Sequence, residues 1–214
     1  SLVSDREVST INYSNLATST AVTVSDARAT ANSTFTYKAA GVVGTADSAS
    51  VVFAGVADGA EIDFAGDVET MNIAVTAAAR LDNFVLDAGT TTVNLSGSAD
   101  FTVDDVLTTT GLATLNITST GDVTLTPSLD AATDTVSAST ATGDITITAA
   151  NVAANTNPGT VDVADLTITT GSGADVIDVT AVDATDEVSV SAGDGNDTVI
   201  IGDVIANSSA VLAG

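Results

Sequence analysis

Apolar and polar residues alternate along most of this chain. Met71/Ile73, Val93/Leu95, Leu115/Ile117, Val136/Ala138, Leu166/Ile168 and Val188/Val190 each flank a single Asn, Ser or Thr. A period of two is that of a β-strand with one buried face. These six pairs recur along the chain at steps of 22, 22, 21, 30 and 22. A second series follows them: Phe101/Val103, Val123/Leu125, Ile145/Ile147, Ile177/Val179 and Val199/Ile201, at steps of 22, 22, 32 and 22. Ile62/Phe64 and Phe84/Leu86 also lie 22 apart, so the periodic region begins near residue 50. The long step in each series holds an insert around Ala149–Gly159, rich in turn residues.

Two strands per repeat cannot enclose a core alone. Stacking such units buries their apolar faces in one continuous stripe. The pattern therefore predicts an all-β fold: a parallel β-solenoid or β-roll of about 22-residue coils, with coils about 4.8 Å apart. An antiparallel β-sandwich also has short strands and frequent turns, but its strands do not repeat at a constant interval. Outward positions form ladders too, with Asn72, Asn94 and Asn116 in one and Thr102, Thr124 and Thr146 in another. Stacked amides can bond along such a ladder.

Residues 1–50 hold strand-like pieces such as Ile11-Asn12-Tyr13 and Phe35-Thr36-Tyr37, without a match to the repeat. They read as an N-terminal β cap or small β subdomain on a solenoid at residues 51–214.

Composition narrows the chemistry. The 214 residues include 28 acids, four bases, no His and no Cys, for a formal net charge of -24. Such a charge repels nucleic acid and anionic lipid. The absence of Cys and His removes disulfides, thiolate and imidazole catalysis and most transition-metal sites. No apolar run of about 18 residues exists to insert in a membrane. The chain starts at Ser1 without a signal-peptide pattern and reads as a fragment or processed piece. High charge and only seven aromatic residues would suit disorder, but a disordered chain would not keep so regular an apolar alternation. Residues 81–214 carry 19 acids and no base, and 24 of the 28 acids are Asp. Asp suits turns and is a compact oxygen ligand for Ca²⁺.

Two segments concentrate this chemistry: Gly171-Ser172-Gly173-Ala174-Asp175 and Gly193-Asp194-Gly195-Asn196-Asp197, one repeat apart and each followed by a strand. Glycines permit a backbone that turns carbonyl oxygens toward one point, and Asp adds a carboxylate. Gly171, Gly173, Asp175, Gly193, Asp194, Gly195 and Asp197 are thus candidate Ca²⁺ ligands in coils at residues 165–205. Asp175 shares the parity of inward Ile177. Asp100, Asp122 and Asp144 have the opposite facing and read as solvated turn residues.

The two segments resemble the RTX calcium-binding nonapeptide, G-G-x-G-x-D-x-U-x, with Thr170 and Ala192 in place of the first Gly. Together with the Thr/Ala/Val-rich, Cys-free coils around Thr91–Leu125, the chain resembles the β-solenoid part of RTX-type surface-layer proteins of Gram-negative bacteria. The resemblance implies type I secretion, calcium-ordered coils outside the cell and self-association into a lattice. A polysaccharide-binding cell anchor would lie in a region not present. The physics is compatible: extracellular calcium fills sites with affinities of about 10⁻⁴–10⁻³ M, which cytosolic calcium does not. An RTX adhesin module is the alternative. An ice-binding solenoid is a third reading, suggested by the Thr-x-Thr strands at Thr124, Thr146 and Thr167, although these do not make one uninterrupted face. An enzyme is the least expected: residues 102–214 have no aromatic platform for a sugar, and no base follows Arg80.

Overall fold

The computed structural model describes residues 2–4, 10–25, 32–38, 42, 44–150, 165–182, 188–202 and 211–213. Part of the insert (151–164), with Pro158, lies outside the described residues, as do 183–187 and 203–205 of the proposed calcium coils.

The described residues are all-β and form a parallel β-solenoid. Its strands are β1 (Leu2–Ser4), β2 (Thr10–Leu16), β3 (Val22–Val24), β4 (Asn32–Tyr37), β5 (Ser48–Ala65), β6 (Thr70–Val85), β7 (Thr92–Gly97), β8 (Phe101–Thr108) and β9 (Thr114–Ile117). There follow β10 (Val123–Leu125), β11 (Thr135–Ser137), β12 (Ile145–Thr148), β13 (Leu166–Thr169), β14 (Val176–Asp178), β15 (Val188–Ser191), β16 (Thr198–Ile200) and β17 (Val211–Ala213). Each strand pairs in parallel with the strand one coil away, giving two ladders. The first ladder contains β1, β3, β7, β9, β11, β13, β15 and β17, joined by the N-terminal halves of β5 and β6. The second contains β2, β4, β8, β10, β12, β14 and β16, joined by the C-terminal halves of β5 and β6.

The alternation produces this arrangement directly. In β12 the burial runs buried, half-buried, buried, half-buried from Ile145 to Thr148. Inward Ile145, Ile147, Leu166 and Ile168 are 0–1% exposed, and each stacks on its equivalent in the next coil. Backbone groups pair between coils, so the interior needs no side-chain polarity except at the corners.

The N-terminal β segment is present as β1–β4, and it continues the parallel stack. Thr10, Ile11, Asn12 and Tyr13 pair with Asn32, Ser33, Thr34 and Phe35, a step equal to the repeat of the later coils. The next step, from Asn32 to Glu61, is longer by seven positions and hides the period in the sequence. The position drawn as a boundary at residue 50 falls inside β5.

The insert coil also corrects the expected register. Val136 pairs with Ile168, not Leu166, and Ile147 pairs with Ile177, not Val179. The steps are therefore 32 in the first ladder and 30 in the second, the reverse of the expectation. A slip of two residues keeps every side chain on its face, so alternation alone cannot detect it.

Outward residues of the first ladder form two long columns. Ser48, Thr70, Thr92, Thr114, Thr135 and Thr167 are consecutive partners, ending at Ser189. Beside them run Asn72, Asn94 and Asn116, whose amides bond in series at 2.8 Å, followed by Ser137, Thr169 and Ser191.

Candidate functional site

The two Gly-x-Gly-x-Asp segments form the corner leading from the first ladder to the second. From Ile168 to Ile177 the chain takes nine residues, against eleven from Val136 to Ile147 in the coil below. Glycine is required here by the close approach of the coils, as it already is below at Gly143, where a Cβ would lie 2.2 Å from the Gly121 oxygen. A Cβ on Gly171 would lie 1.9 Å from the Ala141 carbonyl oxygen, and one on Gly173 would lie 2.4 Å from that of Gly143. Gly193 also has a left-handed φ of +75° and would press on the Gly171 oxygen at 2.0 Å. Coil-to-coil contact at this corner is backbone on backbone, and only Gly fits.

The register correction reveals the setting of Asp175. With Ile147 opposite Ile177, Asp175 occupies the inward column filled in lower coils by Phe101, Val123 and Ile145. It is fully buried. Its Oδ1 accepts the Ile145 N–H at 2.8 Å, while Oδ2 has no partner. The next carboxylate, Asp197, accepts the Asp175 N–H at 3.0 Å. From the coil below, Asp144 accepts the Ala174 N–H at 2.7 Å. Burial pushes the Asp175 carboxyl above the ordinary carboxylate range. The Ile145 N–H and the nearby Thr170 hydroxyl pull it down, and the charges of Asp197 and Asp144 raise it further.

The residues predicted as ligands thus separate by role. Asp175 and Asp197 come together, with Asp144 beside them. Asp194 is exposed, and its N–H is bonded to the Gly171 carbonyl at 2.8 Å, which engages that oxygen in coil pairing. Gly171, Gly173, Gly193 and Gly195 provide close packing. A Ca²⁺ fits the donor chemistry of the carboxylates: a buried oxygen without a partner, flanked by two more acids, is a hard-oxygen setting that lacks positive charge. Asp175 and Asp197, at equivalent inward positions of consecutive coils, are the residues that would hold it; with Asp144 they do not close into a trio of oxygens within 4.8 Å.

Asp100, Asp122 and Asp144 are exposed, as read from the sequence, but they also stitch coils together. Asp100 accepts the Asp122 N–H at 3.1 Å, and Asp122 accepts the Asp144 N–H at 2.9 Å. Each caps a donor one coil above, whereas Asp175 and Asp197 reach down to the coil below. The polarity of the capping reverses where Gly-x-Gly-x-Asp begins.

A second acidic group escaped the sequence reading. Asp58, Asp82 and Asp104 bring carboxylate oxygens within 4.8 Å of one another, the only such trio among the described residues. They lie at irregular points of β5, β6 and β8, where the ladder register shifts, so a fixed period did not pick them out. This group has its own cation. Arg80 Nε lies 2.6 Å from Asp104 and 3.4 Å from Asp58. Asp104 above all, then Asp58 and Asp82, raises the Arg80 pKa.

An apolar cavity of about 20 Å³ lies between Phe84, Phe101, Leu107, Leu112, Leu115 and Leu125. It has room for no ligand larger than a water molecule. Among the described residues no helix is long and apolar enough to cross a membrane. No family model matches the chain, and neither the curated proteins nor the solved structures contain a significant match to it.

Proposed function

We propose that this chain is a structural, non-enzymatic protein of the cell surface that self-assembles into a calcium-dependent surface layer after type I secretion. The observation that carries the reading is Asp175: a fully buried carboxylate with one oxygen unpartnered, beside Asp197 and Asp144, at a corner with two stacked Gly-x-Gly-x-Asp segments. A buried charge without a counter-charge is unfavourable, and a divalent cation relieves it. The repetition of nearly identical coils supports a scaffold role, because a stack of equal rungs offers repeated surfaces and not a single cleft. The base-free acidity of residues 81–214 supports calcium as the trigger: self-repulsion loosens the coils where calcium is scarce, and binding to the folded form stabilises them by mass action.

Circular dichroism, thermal unfolding and electron microscopy in calcium and in EGTA test the proposal. The expected result is a lower melting temperature in EGTA and ordered sheets or tubes in calcium only. Identical melting in both conditions would overturn the calcium dependence. Dispersed, calcium-stabilised particles would favour an adhesin module instead.

A further inference from the structure

The -24 charge is not spread evenly over the two ladders. Outward positions of the second carry Glu61, Asp63, Arg80, Asp82, Asp104 and Asp178. Outward positions of the first, over the seven rungs from β5 to β15, are Ser, Thr, Asn, Ala and Val without a single charge. The Ser/Thr column is in register throughout, and the Asn column satisfies its own amides by bonding in series. The side chains are short, and no ladder bulge interrupts the face between β6 and β15.

We infer that this neutral face of the first ladder is the surface through which one copy of the chain packs on a second copy. The inference rests on the self-assembly proposed above and names the face that performs it. Copies each carrying -24 repel one another in any approach that brings carboxylates together. Face-to-face contact of the first ladders avoids that repulsion. Flat, regular rows of short side chains are also the kind that interdigitate between paired sheets. Rungs about 4.8 Å apart and about five residues wide make a patch of roughly 500 Å² per copy. Two such patches bury about 1,000 Å², the lower bound for a specific interface. A two-fold axis would make the contact self-complementary and place Thr114 and Thr135 near its centre.

The absence of native Cys gives a direct test. Thr114→Cys on the neutral face and Thr124→Cys on the second ladder would be treated with a short bis-maleimide in calcium, using the full chain. Efficient dimer cross-linking from position 114 and little from 124 is the expected result. Thr114→Glu combined with Thr135→Glu should weaken association at least about tenfold, because a two-fold contact doubles the introduced repulsion. The same pair of changes at Thr124 and Thr146 should leave association unchanged, with circular dichroism confirming the fold in every variant. Arrays that form in calcium without preferential cross-linking at 114 would overturn the face and leave the layer reading standing. A chain that stays monomeric in calcium would overturn both. Thermal hysteresis from a monomer, abolished by the Thr114→Glu pair, would assign the face to ice and overturn self-packing.

Discussion

The coils up to β8 and the coils after it keep the same spacing by different means. The early coils have long strands. β5 and β6 run 18 and 16 residues and contribute to both ladders. Their interior is aromatic: Tyr13, Phe35 and Phe64 stack at 5.1–5.2 Å between ring centroids, and Phe53 stacks on Phe101 at 5.7 Å. The later coils have short strands, of three or four residues from β9 onward. Val, Ile, Leu and Ala fill them until Asp175 enters the apolar column. The small cavity beside Phe101, Leu107 and Leu125 lies where the two regions meet. Both regions close the corner between ladders with backbone contacts, at Gly97 in the first and at Gly171 and Gly173 in the second, but only the second buries an acid that lacks a counter-charge.

The largest expected effect is in the aromatic stack. Phe64→Ala removes a side chain that is 2% exposed and touches three other rings. It should destabilise by about 3–5 kcal/mol in urea unfolding. Ile177→Val, in the later coils, should lose only about 1 kcal/mol.

Glycine substitution separates close-packed corners, found in both regions, from open strand positions. Gly173→Ala meets the Gly143 carbonyl at 2.4 Å, and the coils must separate to admit it. Gly55→Ala in β5 finds its nearest neighbour at 3.9 Å, so the left-handed φ of +88° is its main penalty. The expected losses are about 3 kcal/mol or more for Gly173 and about 1–2 kcal/mol for Gly55. Thermal unfolding of the two variants measures the difference.

Third in size is the response of Asp175 to protons and calcium. Its folded carboxyl is raised above the unfolded value, so its contribution to stability is greatest below the ordinary carboxylate pKa of about 3.9 and is lost as pH rises through the folded value. In EGTA, acidification should therefore protect the β12–β14 corner. In calcium the sign at this site reverses, because a ligating carboxylate must be ionised. Asp175→Asn should raise the melting point in EGTA, by the equivalent of about 1 kcal/mol, and remove most of the calcium-induced increase. Hydrogen exchange at the Ile145 amide reports the carboxylate directly, and at the Thr198 amide the corner around it, since the Asp175 carboxylate accepts the first N–H and its backbone carbonyl the second.

The sequence makes the solenoid legible because identical burial in successive coils repeats identical residue types. Val93, Leu115 and Val136 stack in order, and their spacing shows it. What escaped detection has physical causes. The slip across the insert is invisible to alternation, since Leu166 and Ile168 both face inward. Yet that slip determines that Asp175 follows Ile145 inside the stack. The pairing of Tyr13 with Phe35 keeps the common period, but the longer step from Phe35 to Phe64 breaks the run. For the site, Asp175 and Asp197 were readable from the glycines around them, whereas Asp144 was not. Its contribution depends on Ala174, a neighbour in space that is remote in sequence.

The smallest effect tests whether a resident cation is what separates the two acidic sites. Asp58, Asp82 and Asp104 crowd more closely than the acids around Asp175, yet Arg80 stands among them. Arg80 is exposed, and an exposed ion pair contributes little to stability and is screened by salt. Arg80→Ala should therefore leave the melting temperature nearly unchanged at high ionic strength. It also leaves three carboxylates within 4.8 Å without their guanidinium, which raises their local demand for a cation. At low ionic strength the variant should acquire a small calcium-dependent protection from hydrogen exchange in β5, β6 and β8, where the unmodified chain should show none. If the unmodified early coils already respond to calcium as strongly as the β12–β14 corner, then a built-in cation is not what distinguishes them. The contrast would then lie in apolar burial alone.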